Sequence, residues 1–212
     1  MAINLYIVDD DPSVRSSLTQ LLNLRSDLLT RSFASGEMFL DALETLAPGC
    51  VLLDLNMPGL SGMGVLGRLS PLSSQFAVIM MTAQGDINSA VQAMKAGALD
   101  FIEKPFHHSL LLGAIDAAQA RLQRIGAETD RIATAQAKLA QLSSRQFEVL
   151  RGLIHGQSNK AIAFELDISP RTVEIYRAKL MEKLEVRSLS EMLSIAFAAG
   201  LFPSPENETP EA

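Results

Sequence analysis

Four points in the first half of the chain carry residue types that phosphoryl chemistry uses: the acidic run Asp9-Asp10-Asp11, then Asp54, Thr82 and Lys104. Each stands at the end of a short apolar run. Carboxylates gathered from such points make a hard, oxygen-rich cage suited to Mg2+, which prefers one or two carboxylates with waters and phosphate oxygens. Without a cation the cluster would repel itself and its pKa values would rise. With one, Asp54 can act as the nucleophile and form an acyl phosphate. Lys104 supplies positive charge to the transferred group and Thr82 a hydroxyl donor, so catalysis rests on positioning and electrostatics. Asp9 and Asp10 are assigned to the metal. Asp11 precedes Pro12 and reads as a helix cap followed by a first-turn proline.

The elements that must position these residues follow from the hydrophobic pattern. Apolar runs occur at Ile3 to Val8, Cys50 to Leu53, Phe76 to Met81 and Leu99 to Ile102, with a weaker one at Leu28 to Phe33. Continuous apolar runs between amphipathic segments read as buried parallel strands with helical crossovers. Five such units predict an open α/β sheet over residues 1–120. Ligands bind such sheets at the carboxyl ends of the strands, so the four points should converge on one rim.

From about Ser109 a helical pattern continues into residues 121–141, which are polar and rich in Ala and Gln. They read as a helical linker, with Gly126 a possible interruption. Residues 142–203 are wholly helical in pattern. Ser143 with Gln146 and Ser188 with Glu191 are capping boxes, and Ser158 and Ser169-Pro170 mark two further starts. The tail, 204–212, is polar and Pro-rich and reads as disordered.

Charge differs along the chain. Residues 1–120 hold six Lys/Arg against twelve Asp/Glu, and residues 121–203 hold twelve against nine. An acidic front and a mildly basic back predict different partners for the two parts. The single cysteine, Cys50, lies in an apolar run and reads as a small buried hydrophobe. With no disulfide possible within the chain, no signal peptide pattern and no apolar stretch of membrane-spanning length, the expected setting is cytoplasmic, with no membrane partner.

Residues 1–120 resemble the receiver domain of bacterial response regulators. The resemblance lies in Val8-Asp9-Asp10, Asp54-Leu-Asn-Met-Pro-Gly59, Met81-Thr82-Ala83, Lys95-Ala-Gly-Ala98 and Asp100-Phe-Ile-Glu-Lys-Pro-Phe106. It implies a flavodoxin-like five-stranded fold, phosphorylation of Asp54 by a histidine kinase, and Mg2+ held by Asp9, Asp10, Asp54 and the backbone carbonyl of Asn56. It also implies a cis Lys104–Pro105 bond and a switch involving Thr82 and Phe101, although a core role serves Phe101 equally well. Homodimerisation would use a face at roughly 87–119. On this reading the protein is not an enzyme beyond its own phosphorylation and dephosphorylation. A phosphatase using Asp54 is the competing reading, but Asn56 then replaces the acid that would protonate the leaving group.

Asn159 to Ala178 reads as a helix, a turn at Asp167 to Ser169 and a second helix of about 170–184. Val173, Tyr176, Leu180 and Leu184 share its inner face. Arg171, Thr172, Glu174, Ile175, Ala178 and Lys179, flanked by Arg177 and Lys183, are the candidate DNA contacts. The stretch is similar to the LuxR/FixJ-type helix-turn-helix, on Leu142-Ser-Ser-Arg-Gln-Phe-Glu-Val-Leu150, Gly156-Gln-Ser-Asn-Lys-Ala-Ile-Ala163 and Ile168-Ser-Pro-Arg-Thr-Val173. Departures are Gln146 where Glu is common, Tyr176 where His is common, and Glu174 and Ala178 where some relatives carry Lys. The resemblance implies a transcription regulator, with its second helix in the major groove of double-stranded DNA and RNA polymerase among its partners. A protein-binding role for this domain is the alternative. The final helix, about 189–199, has a Met192, Ile195, Ala199 stripe that suits either core packing or pairing of two such domains.

Overall fold

The computed structural model describes residues 3–83 and 87–202. The chain divides into two compact units, one ending at Gly126 and the other starting at Ala127. The first contains strands β1 (Ile3–Val8), β2 (Leu28–Phe33), β3 (Gly49–Asp54), β4 (Phe76–Thr82) and β5 (Asp100–Glu103). Helices α1 (Pro12–Leu22), α2 (Gly36–Ala42), α3 (Gly62–Leu69) and α4 (Ile87–Lys95) alternate with them, and α5 (His108–Ala140) follows.

All pairings are parallel and the strand order is β2-β1-β3-β4-β5. The alternation of side chains across the sheet explains the continuous apolar runs. Val51 and Leu53 face a core with Phe39, Val65 and Leu66, while Cys50 and Leu52 face a second core with Leu18, Leu111 and Ile115. A strand covered on both faces has no solvent side to mark with polar residues. Each such aliphatic side chain contributes about 1.5–3 kcal/mol on burial. Edge strand β2 buries only its end residues Leu28 and Phe33, which accounts for its weaker pattern.

Strand bounds differ slightly from the sequence expectation. β3 and β4 extend through Asp54 and Thr82, and β5 begins at Asp100 rather than Leu99. The Leu99 N–H nevertheless donates to the Val78 carbonyl at 2.7 Å. Helix α5 passes through Gly126 without a break. A helical glycine costs only about 1 kcal/mol relative to alanine, which the surrounding Ala, Arg and Gln residues outweigh.

The second unit holds the end of α5 with α6 (Ser144–Ile154), α7 (Asn159–Glu165), α8 (Pro170–Lys183) and α9 (Leu189–Ala198). Its core joins Leu139, Val149, Leu150, Leu153, Ile162, Val173, Leu180, Leu184 and Met192. Gly152 lets α6 approach α7 closely, since a Cβ there would lie 2.6 Å from Ile162. The Ser143–Gln146 capping box is complete. The one expected at Ser188 is half-formed: Ser188 accepts from the Glu191 N–H, but Glu191 accepts from the Arg187 N–H at 2.8 Å instead of that of Ser188. Met192 is buried, with Ile195 and Ala199 packed against the same core, so this stripe of α9 is a core face. The expected tail at 204–212 lies outside the described residues.

Candidate phosphoacceptor site and nucleic-acid interface

Register brings the four chemical points together. Val8 pairs with Leu53, Asp54 with Met81 and Thr82 with Glu103, so Asp9, Asp54, Thr82 and Lys104 fall within one residue of the same rim. β1 and β3 are also where the strand order reverses, the position at which open α/β sheets bind ligands. The Lys104 ammonium donates to Asp9 Oδ2 and to Asp54 Oδ1, both at 2.6 Å. The remaining carboxylate oxygens accept backbone bonds: Asp54 Oδ2 from the Asn56 N–H at 2.8 Å, and Asp9 Oδ1 from the Asp11 N–H at 2.9 Å. Asp9, Asp54 and Thr82 are buried, at 1%, 5% and 0% exposure. Gly62 allows α3 to start against this loop, because a Cβ there would collide with the Asp54 carbonyl.

Burial pushes the Asp54 carboxyl above the usual range, a push that the Lys104 hydrogen bond opposes. For Lys104, burial disfavours the charge, but the bonds to Asp54 and Asp9 prevail and hold its pKa above normal. Two buried carboxylates therefore face one half-buried ammonium, leaving an excess negative charge at the rim. Uncompensated buried charge is costly, and an all-oxygen donor set of this kind suits Mg2+. Asp10 and Asn56 are exposed at the same loops. Among the described residues no three carboxylate, His or Cys groups are gathered closely enough to form a metal cage, so Asp10 is not drawn in with Asp9 and Asp54. The donor types fit the ion, and Asp9 and Asp54 are already joined.

The neighbouring candidates take distinct places. Asp11 is the N-cap of α1, accepting from the Ser13 N–H at 2.8 Å, and that bond lowers its pKa. Phe101 is half-buried against the first core. The Lys104–Pro105 peptide is cis.

In the second unit, Asp167 at φ 52° turns the chain between α7 and α8. On α8, Val173, Leu180 and the following Leu184 are fully buried, and Tyr176 is half-buried beside them. Arg171, Glu174, Ile175, Ala178, Lys179 and Lys183 are exposed. Arg171 pairs with Glu174 at 3.1 Å, and the Thr172 hydroxyl bonds that of Ser169 at 2.8 Å. Arg177 is half-buried and its guanidinium donates to Asn159 Oδ1 at 2.7 Å, which ties α8 to the start of α7.

Comparison with known proteins assigns both units. The family described as "Response regulator receiver domain" matches residues 5–116, and "Bacterial regulatory proteins, luxR family" matches residues 140–196. The transcriptional regulatory protein FixJ of Bradyrhizobium diazoefficiens is 44% identical over 199 residues, covering 93% of this chain and 96% of that protein. The chain belongs to the FixJ-type response regulators. The response regulator TmoT of Ectopseudomonas mendocina is 38% identical, over 90% of this chain and 86% of its own. Full-length FixJ from B. japonicum, 42% identical, matches the structure with a TM-score of 0.56 over 95% of this chain and 98% of its own. The response regulator StyR, 35% identical, matches at 0.79 over 93% and 99%.

This FixJ-type regulator thus has a receiver followed by a LuxR-type DNA-binding domain. No described helix is long and apolar enough to cross a membrane. Two residues of the receiver rim escaped sequence reasoning. Glu37 Oε1 accepts from the Leu60 N–H at 2.7 Å and steadies the loop after Asp54. Backbone N–H groups of Glu37 itself and of Leu60 hold its carboxyl below the ordinary range. Arg15 donates to the carbonyls of Asp9 at 2.7 Å and Asp10 at 2.9 Å. Nothing about Glu37 marks it in the sequence. Arg15 carries a faint signal, a cation early in a helix, where the dipole disfavours it.

Proposed function

We infer that Asp54 is the phosphoacceptor of a two-component pathway and that its phosphorylation controls DNA binding by α8. The observation that carries this is the bridging of buried Asp9 and Asp54 by the Lys104 ammonium at 2.6 Å to each. In the transfer, an Asp54 oxygen forms the new O–P bond while the N–P bond to a histidine of the sensor kinase breaks. Asp9, Asp10, Asp54 and the Asn56 carbonyl would hold Mg2+, which when bound neutralises charge on the phosphoryl oxygens. Lys104 shifts its bonds from the carboxylates to the incoming group. The Thr82 hydroxyl donates to a phosphoryl oxygen, and Phe101 follows it inward as the second part of the switch.

The same switch favours a homodimer through the face at about 87–119. Exposed Ile87, Val91, Met94 and Leu110 supply its apolar area. Two receivers joined there carry two copies of α8 to half-sites one DNA turn apart, ~34 Å. Arg171, Lys179 and Lys183 then meet phosphates, while Thr172, Glu174, Ile175 and Ala178 face base edges in the major groove. Arg177 stands between these roles through its bond to Asn159. RNA polymerase at the promoter is the expected next partner, and the cytoplasm, where kinase and promoter are both accessible, is the place of action.

The test is labelling with a phospho-donor such as acetyl phosphate and Mg2+. One residue should be modified, and Asp54→Asn should abolish the label. Promoter binding at matched salt should then rise with phosphorylation. Equal labelling of Asp54→Asn, or equal promoter binding before and after, overturns the reading.

A further inference from the structure

Arg15 stands one turn into α1, the end of a helix where a cation is electrostatically out of place. It forms no ion pair with any carboxylate among the described residues. One of its nitrogens, Nη1, instead donates to two successive carbonyls, those of Asp9 at 2.7 Å and Asp10 at 2.9 Å. These are the residues whose carboxylates carry the receiver chemistry. Asp9 is already held by its side chain, through Lys104 and the Asp11 N–H. Asp10 is exposed, and the bond from Arg15 restrains its backbone.

We propose that Arg15 is a positioning residue that restrains the Asp9–Asp10 backbone, and through that restraint supports Mg2+ binding by the acidic loop. The proposal rests on the phosphoacceptor reading above. A guanidinium suits the task, because its rigid donors can hold two carbonyls while its stem packs along the helix. Residues one step removed from a metal ligand commonly change its affinity about 10–100-fold.

The sign of the effect separates positioning from simple charge. A cation removed from near a metal site should by Coulomb's law tighten binding of another cation. Loss of a backbone restraint should weaken it. Calorimetric titration of the full chain with MgCl2 reads the difference directly. Arg15→Met keeps the apolar stem and removes the donors. It should weaken Mg2+ binding about tenfold, on the scale of such supporting residues, with little change in melting temperature. Arg15→Lys, which retains the charge but not the planar fork, should recover only part of the affinity. Half-maximal labelling of Asp54 should move to higher Mg2+ by the same factor.

Binding in Arg15→Met as tight as in the parent, or tighter, overturns the proposal. So does a collapse of its melting temperature, which would make Arg15 a stabiliser of the fold. A parent chain that takes up no Mg2+ would instead overturn the phosphoacceptor reading on which this role depends.

Discussion

Nζ of Lys104 lies 2.6 Å from Oδ1 of Asp54, across the rim of the sheet. Lys104→Met would leave Asp54 and Asp9 buried face to face with no ammonium between them. Breaking a buried pair in this way typically costs about 3–5 kcal/mol. Asp54 already has a raised pKa from burial, and the loss of Lys104 raises it further. A carboxyl whose folded pKa exceeds its unfolded one favours the native state when protonated. Stability is therefore lost as pH rises through the interval between the two values. Urea unfolding at about pH 5 and about pH 8 should show the deficit of Lys104→Met shrinking on acidification. A deficit independent of pH would mean that the ammonium does not compensate these carboxylates.

The two arginines of α8 should behave differently. Arg171 is exposed, with its side chain 82% accessible, so Arg171→Ala should weaken promoter binding and reduce its salt slope by about one. Arg177 is committed to Asn159. Arg177→Ala should lower the stability of the helical unit by about 1 kcal/mol, the worth of one hydrogen bond. Asn159→Ala should match it, and the double variant should lose little more. Gel shifts over a salt series, with denaturant melts, measure both.

Gly152→Ala places a methyl group 2.6 Å from Ile162 and 2.7 Å from Gln157. Overpacking of this kind costs about 1–3 kcal/mol. Promoter binding should weaken as the helical unit loosens. Labelling of Asp54 should be unchanged, since the receiver has its own two cores. Parallel loss of labelling would contradict the independence of the two units.

Cys50 is fully buried in β3, and burial pushes its thiol well above the ordinary range. The thiolate is the reactive form, so the native protein should resist an aromatic disulfide reagent at mildly alkaline pH. One thiol per chain should react on unfolding in denaturant. Rapid reaction under native conditions would show that β3 opens readily.

Much of this was legible in the sequence because it rests on local rules. Apolar runs mark strands buried on both faces, so β1, β3 and β4 could be read closely, while β5 slipped by one residue at its weaker edge position. Serines placed just before a helical pattern mark helix starts, two of them with Gln or Glu three residues on and one followed by Pro, and the caps at Ser143, Ser158, Ser169 and Ser188 all form. Glu191 departs because its carboxylate can reach the Arg187 N–H as easily as that of Ser188. Pattern alone cannot rank two adjacent donors.

By itself the sequence determined the chemistry available: an acidic pair, a third Asp, a Thr and a Lys at the ends of four apolar runs, followed by a helical domain with an exposed polar helix. Only the tertiary structure decided how these groups spend their hydrogen bonds. Parallel register brings Lys104 between Asp9 and Asp54, helix packing turns Arg177 toward Asn159, and the start of α1 turns Arg15 back over two carbonyls while Asp10 stays exposed. The physical reason is reach. A side chain's partner depends on which donors and acceptors lie within about 3 Å of it. Across sheet strands and packed helices, that distance is set by the fold and not by separation along the chain.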